Sequence, residues 1–84
     1  PPMADLDDSQ TSLLGALKAL RSQLARVRGV PAYVVFTDRA LQDMAVRAPK
    51  SREEFAEVHG VGAAKLKDLA EPFLKIIGEN ATWN

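Results

Sequence analysis

The stretch Pro31-Ala-Tyr-Val-Val-Phe-Thr-Asp-Arg-Ala-Leu41 interrupts a chain that otherwise reads as helix. A proline opens it, and a run of β-branched or aromatic residues follows from Tyr33 to Phe36. By propensity that run suits a strand. A lone strand leaves its backbone N–H and C=O groups unpaired, and the chain offers no second strand candidate. The stretch is therefore read as an extended, nonhelical connector at about residues 30–36, with Val34, Val35 and Phe36 plugging a helical core. The fold class that follows is all-α, a compact bundle of about five helices.

On the N-terminal side, Leu13, Leu17, Leu20, Leu24 and Val27 recur at spacings of four, three, four and three. That period predicts one apolar stripe on a long helix starting near Ser9 or Ser12. Lys18, Arg21 and Arg28 fall on a different face, with Ala25 between them. Gly29 ends the helix and Pro31 prevents its return. On the C-terminal side, Thr37 or Asp38 caps a second helix carrying Leu41, Met44 and Ala45, which Pro49 terminates. Ser51-Arg-Glu-Glu54 has the form of a capping box and opens a short helix over about 52–58. His59-Gly-Val-Gly62 reads as a tight turn. A further helix carries Leu66 and Leu69. Pro72 suits a first helical position, so the end of the chain is divided there into two helices. Gly78 closes the last one. Residues 1–8 are expected to be a flexible tail or linker, 9–79 the helical domain and 80–84 a frayed tail.

Eighty-four residues support at most one domain with a modest core. The chain has no cysteine, which excludes disulfides, thiolate zinc ligands and a cysteine nucleophile and makes an intracellular setting the default. Its apolar runs are too short to cross a bilayer. Net charge is zero but unevenly spread: −3 over residues 1–8, +6 over 9–52 and −3 over 53–84. A neutral total argues against a strong nonspecific polyanion binder, whereas the basic middle leaves room for a local patch.

Catalysis finds little support. One histidine and scattered acids make no metal site or catalytic triad, and His59 is read as a turn residue. The glycines follow no strand and lack the phosphate-loop spacing. The domain is therefore not expected to be an enzyme. Two features remain. Gly60-Val-Gly62 before Lys65 can present backbone N–H groups at a helix N-terminus, which suits a phosphate oxygen; alternatively, the glycines only let two helices pack closely. Tyr33 is either an outward stacking platform for an unpaired base, with Arg28, Lys50 and Arg52 sharing its surface, or a core tyrosine with a satisfied hydroxyl.

Together these residues resemble the HRDC domain, named for helicases and RNase D. The resemblance covers about residues 10–79. It rests on the leucine-striped first helix, Pro31-Ala-Tyr-Val-Val-Phe-Thr-Asp38, Leu41-Gln-Asp-Met-Ala45, Gly60-Val-Gly62 with Lys65-Leu66, and Pro72-Phe73. The sequence looks most like the version in bacterial RecQ helicases. The resemblance implies an accessory module that weakly binds single-stranded or branched DNA and tunes substrate choice. It implies no cofactor in the domain itself; ATP and Mg would serve the motor of the parent helicase. It also implies a cytoplasmic, nucleoid-associated setting and no membrane partner, and the isolated domain is expected to be a monomer. By position, Tyr33 and its basic surroundings correspond to the DNA-facing region. The nucleic-acid-binding set is then Tyr33, Lys18, Arg21, Arg28, Lys50, Arg52, Gly60, Gly62 and Lys65.

A second reading makes the domain an interdomain or protein–protein regulatory module with little DNA binding of its own. It would dock on the helicase core, a neighbouring domain or a partner protein. Its features are the neutral charge, an acidic patch at Glu53, Glu54 and Glu57, and the acidic tail at Asp5–Asp8. At physiological salt, with a Debye length of about 8 Å, those glutamates lie close enough to offset attraction to phosphate.

Overall fold

In the computed structural model, which describes residues 6–81, the chain forms five helices and no strand among those residues. They are α1 (Asp8–Arg28), α2 (Ala32–Val35), α3 (Asp38–Arg47), α4 (Arg52–Phe55) and α5 (Ala63–Asn80). At about 1.5 Å per residue α1 is roughly 31 Å long, which sets the 34 Å long dimension of the molecule.

The stretch at 31–41 departs from the expected extended connector. Pro31 (φ −60°, ψ 151°) and Phe36 (φ −153°, ψ 145°) are extended, but the four residues between them form one helical turn. The Val34 N–H donates to the Pro31 carbonyl at 3.0 Å and the Phe36 N–H to the Ala32 carbonyl at 3.3 Å. The burial pattern has a helical cause. Adjacent Tyr33 and Val34 are exposed, whereas adjacent Val35 and Phe36 are buried. An extended segment would alternate residue by residue. Val34 is accordingly half outside the core, and the plug is Val35 and Phe36 alone.

Helix α1 begins at Asp8, next to Ser9 and a turn before Ser12, the two starts the sequence offered, and its capping box is formed by Asp7 and Gln10. The Gln10 N–H donates to Asp7 Oδ1 at 2.7 Å, and the Asp7 N–H donates to Gln10 Oε1 at 3.0 Å. At the other end Gly29 takes the left-handed conformation (φ 67°), with its N–H on the Arg26 carbonyl and the Val30 N–H on the Ala25 carbonyl. These bonds form a Schellman motif. The buried line of α1 is Leu13, Leu17 and Ala25, flanked by half-buried Leu14, Leu20 and Leu24. It is turned toward the Arg21 side of the expected stripe. Val27 lies beyond the edge of the core and is 79% exposed.

Thr37 caps α3 through its Oγ1, which accepts from the Ala40 N–H at 3.2 Å. Ala40, Leu41, Met44 and Ala45 are buried, and α3 ends at a left-handed Ala48 (φ 40°) before the buried Pro49. Ser51 caps α4 as expected, with its Oγ accepting from the Glu54 N–H at 3.1 Å. The return arm differs: Glu54 Oε1 accepts from the Lys50 N–H at 2.9 Å, one residue before the cap. The α-helix itself stops at Phe55, and turns carry the chain to Val58.

The expected division at Pro72 does not occur, nor does a stop at Gly78. Helix α5 runs unbroken through Pro72 to Asn80. Proline cannot donate to the carbonyl four residues back, that of Asp68, but Asp68 lies on the exposed side, where water can serve. Buried Leu69, Ala70, Phe73 and Ile77 hold both halves of the helix to the core. That core centres on Phe36, whose ring meets Phe73 edge-on at 5.0 Å and Phe55 at 6.2 Å. Three elements remote in sequence meet there.

Candidate nucleic-acid interface

Tyr33 points outward, with 67% of its surface exposed. The turn that carries it is too short to be stable alone and has no side-chain cap at Pro31. Its position is fixed by the burial of Val35 and Phe36 immediately downstream. Val34 and Val27 are also exposed, so an aromatic ring and two valines crop out within eight residues of chain at the α1–α2 corner. Val27 and Val34 were not among the expected site residues, because their apolar character marked them for the core. Arg26, Arg28 and Arg39 are exposed on the adjoining segments.

The six expected site cations differ in their surroundings. Lys18, Arg28 and Lys50 are exposed, and Lys50 sits at the approach to α4 with its backbone N–H on Glu54. Arg21, Arg52 and Lys65 are engaged with the protein. Arg21 is the clearest departure from the expected set of outward cations. Its side chain is only 12% exposed, and its Nη1 donates to the Phe36 carbonyl at 3.0 Å and meets Asp38 Oδ1 at 2.8 Å. Its Nε is buried without a partner among the described residues. Arg52 Nη2 donates to the Leu66 carbonyl at 3.3 Å. Lys65 Nζ lies 5.1 Å from the centroid of the Phe36 ring, within cation–π range. Lys18, Arg21 and Lys65 therefore gather around the Phe36–Asp38 junction, with Arg52 of α4 reaching the α5 backbone beside Lys65.

Asp38 bears the electrostatic mark of this gathering. The hydrogen bond and charge of Arg21, opposed by some desolvation and aided by Lys18, hold its carboxyl below the usual carboxylate value. Asp38 also stands in the first turn of α3, where a negative charge suits the helix dipole.

The Gly-Val-Gly turn is fastened to α3. The His59 N–H donates to Asp43 Oδ2 at 2.7 Å, and the same oxygen meets Arg47 Nε at 2.9 Å. Gly60 requires its residue type, since φ is +80° there. Gly62 is the N-cap of α5 with extended backbone and no side-chain cap bond. A Cβ at Gly62 would meet nothing within 4 Å, so internal packing does not demand glycine. In the acidic patch, Glu53, Glu54 and Glu57 are all exposed, but the Lys50 N–H occupies one oxygen of Glu54. A cleft of about 130 Å³ between the start of α1 and the ends of α3 and α5 includes none of these site residues. No helix is long and apolar enough to cross a membrane, and no group of three or more metal-ligating side chains occurs among the described residues.

Comparison with known proteins gives a consistent family. The HRDC domain model matches residues 10–77. An ATP-dependent DNA helicase RecQ of Pasteurella multocida is 41% identical over 68 residues, which is 81% of this chain and 11% of that helicase. An ATP-dependent DNA helicase UvrD2 of Mycobacterium bovis is 36% identical over 74 residues, 88% of this chain and 10% of the relative. The chain thus spans about a tenth of the length of these helicases. Among solved structures, D. radiodurans RecQ HRDC domain 3 superposes with a TM-score of 0.81 at 36% identity, covering 83% of this chain and 92% of that one. With the five-helix order, the Phe36-centred core and the family match in agreement, the chain belongs to the HRDC domain family.

Proposed function

We propose that this chain serves as an accessory domain of a RecQ-type DNA helicase, binding single-stranded or branched DNA weakly and biasing which substrates the motor engages. The observation that carries the reading is Tyr33, an exposed aromatic ring on a turn anchored by the buried Val35 and Phe36. A base stacked on such a ring contributes about 1–3 kcal/mol. Arg26, Arg28 and Arg39 supply positive charge on the adjoining segments. The reading is also supported by relatives named as ATP-dependent DNA helicases. ATP and Mg belong, in this reading, to the motor elsewhere in the parent chain, which acts at the bacterial nucleoid.

The test is fluorescence anisotropy of the domain with labelled single-stranded and forked DNA at low and physiological salt, with Tyr33→Ala in parallel. The expected result is binding on the order of micromolar that weakens with salt, as counterion release requires, and falls at least several-fold in the variant. Absence of binding at low salt removes the reading.

A second reading, docking on the helicase core or a partner protein, is supported by the exposure of Glu53 on α4 and Glu57 just after it. It predicts that Glu53→Lys and Glu57→Lys alter the activity of the full-length helicase while DNA binding by the isolated domain stays undetectable.

A further inference from the structure

Arg21 was expected among the residues that touch DNA, yet its surroundings assign it another task. The Tyr33 turn has two structural weaknesses: it is four residues long, and its N-cap is a proline with no side-chain bond. A single turn does not hold its own geometry in water. Something outside it must fix where the Tyr33 ring points.

Burial of Val35 and Phe36 fixes the radial position of the turn. It does not fix rotation of the backbone between Phe36 and Thr37, where the chain passes from α2 into α3 in extended conformation. Arg21 acts at that junction. One terminal nitrogen bonds the Phe36 carbonyl, the last group of the Tyr33 turn, and also the Asp38 carboxylate, the first residue of α3. The guanidinium comes from the middle of the 21-residue α1, the longest element of the fold. We infer that Arg21 and Asp38 form a clamp that holds the α2–α3 junction and thereby sets the presentation of Tyr33, so that both are positioning residues for the nucleic-acid face and neither is a phosphate contact. The inference rests on the Tyr33 reading above and adds to it the means by which the ring is held.

The two roles for Arg21 predict opposite signs at Asp38. If Arg21 met phosphate directly, removing the neighbouring negative charge with Asp38→Asn would free Arg21 and Lys18 and tighten DNA binding. If the pair is a clamp, Asp38→Asn loosens the turn and weakens binding although the protein becomes more positive. Asp38 is 68% exposed, so Asp38→Asn leaves the core intact.

The experiment compares wild type, Asp38→Asn, Arg21→Gln and Tyr33→Ala. Single-strand affinity is read across a salt series, and the ring-proton and amide resonances of residues 32–34 are read in the free domain. The clamp predicts that Asp38→Asn and Arg21→Gln each lose about threefold or more in affinity. It further predicts an unchanged salt slope and displaced resonances at 32–34. A phosphate contact at Arg21 would instead make the slope shallower by about 0.7 in Arg21→Gln. Unchanged or tighter binding by Asp38→Asn, or resonances at 32–34 that stay in place, overturns the clamp. Unchanged affinity in Tyr33→Ala removes the Tyr33 reading instead, and the free-domain resonances still decide whether the clamp holds the turn.

Discussion

The His59 backbone N–H donates to the carboxylate of Asp43 at 2.7 Å, joining the Gly-Val-Gly turn to the middle of α3. The same oxygen meets Arg47 Nε, so one side chain holds both a turn and its own helix. Hydrogen bonds to charged groups contribute about 1.5–3 kcal/mol when shielded, and Asp43 is three-quarters buried. Asp43→Ala is expected to cost about 1–2 kcal/mol of stability. Its amide exchange should rise first at residues 58–62. Urea denaturation and hydrogen exchange measure the two effects.

The Arg21–Asp38 pair predicts a pH dependence of defined sign. The folded-state pKa of Asp38 is lowered, so its contribution is fully present above the unfolded value of about 3.9 and is lost as pH falls through the folded value. Because Asp38 is mostly exposed, that contribution is below about 1 kcal/mol. Wild type should therefore be slightly more stable than Asp38→Asn at about pH 7, and the gap should be narrower at about pH 3, below the unfolded value. Paired denaturant titrations at the two pH values check the sign.

Two helix ends use the same left-handed conformation with different residues. Gly29 (φ 67°) closes α1, and Ala48 (φ 40°) closes α3. A Cβ is disfavoured in that region, so Ala48→Gly should stabilise the domain by roughly 0.5–1 kcal/mol. Gly29→Ala should destabilise by about 1 kcal/mol, through the backbone alone, since an added Cβ there meets nothing within 4 Å. Melting curves of both variants give the comparison.

Phe36 joins segments that are far apart in the chain. Its ring touches Phe55 and Phe73, and its carbonyl takes the Arg21 bond. Truncating a buried phenylalanine costs about 3–5 kcal/mol. That is much of the total expected for a domain of this size, roughly 4–12 kcal/mol. Phe36→Ala should therefore be largely unfolded at ambient temperature by far-ultraviolet circular dichroism, whereas Phe36→Leu should fold with a lowered midpoint.

What could be read from the sequence was mostly local. The Ser51 cap, the Gly29 stop and the burial of Leu13, Leu17, Leu41 and Met44 depend on neighbours within one or two turns, and the structure agrees with them. The failures have tertiary causes. Residues 32–35 make a single turn, too short for any period to register, and their helical form comes from packing on α1 and the core. Pro72 looked like a helix start because its missing donor is an intrinsic defect, but apolar residues on both sides keep α5 continuous. Val27 fits the heptad-like spacing yet lies past the edge of the core. Arg21 resembled a surface cation because its partners are 15 and 17 positions away. The aromatic at position 33 was legible as a candidate, but its outward direction depends on the helical turn and could not be read from an assumed connector.

In the proposed function, the Tyr33 corner is the face that meets DNA. The most direct measurement is a ¹H–¹⁵N titration of the isolated domain with a short single-stranded oligothymidine. DNA contact at that corner should give progressive shifts over residues 26–39, largest at Tyr33 and Val34, with residues 53–57 unmoved. Shifts confined to residues 53–57 and the facing part of α5, or none at low salt, would contradict it.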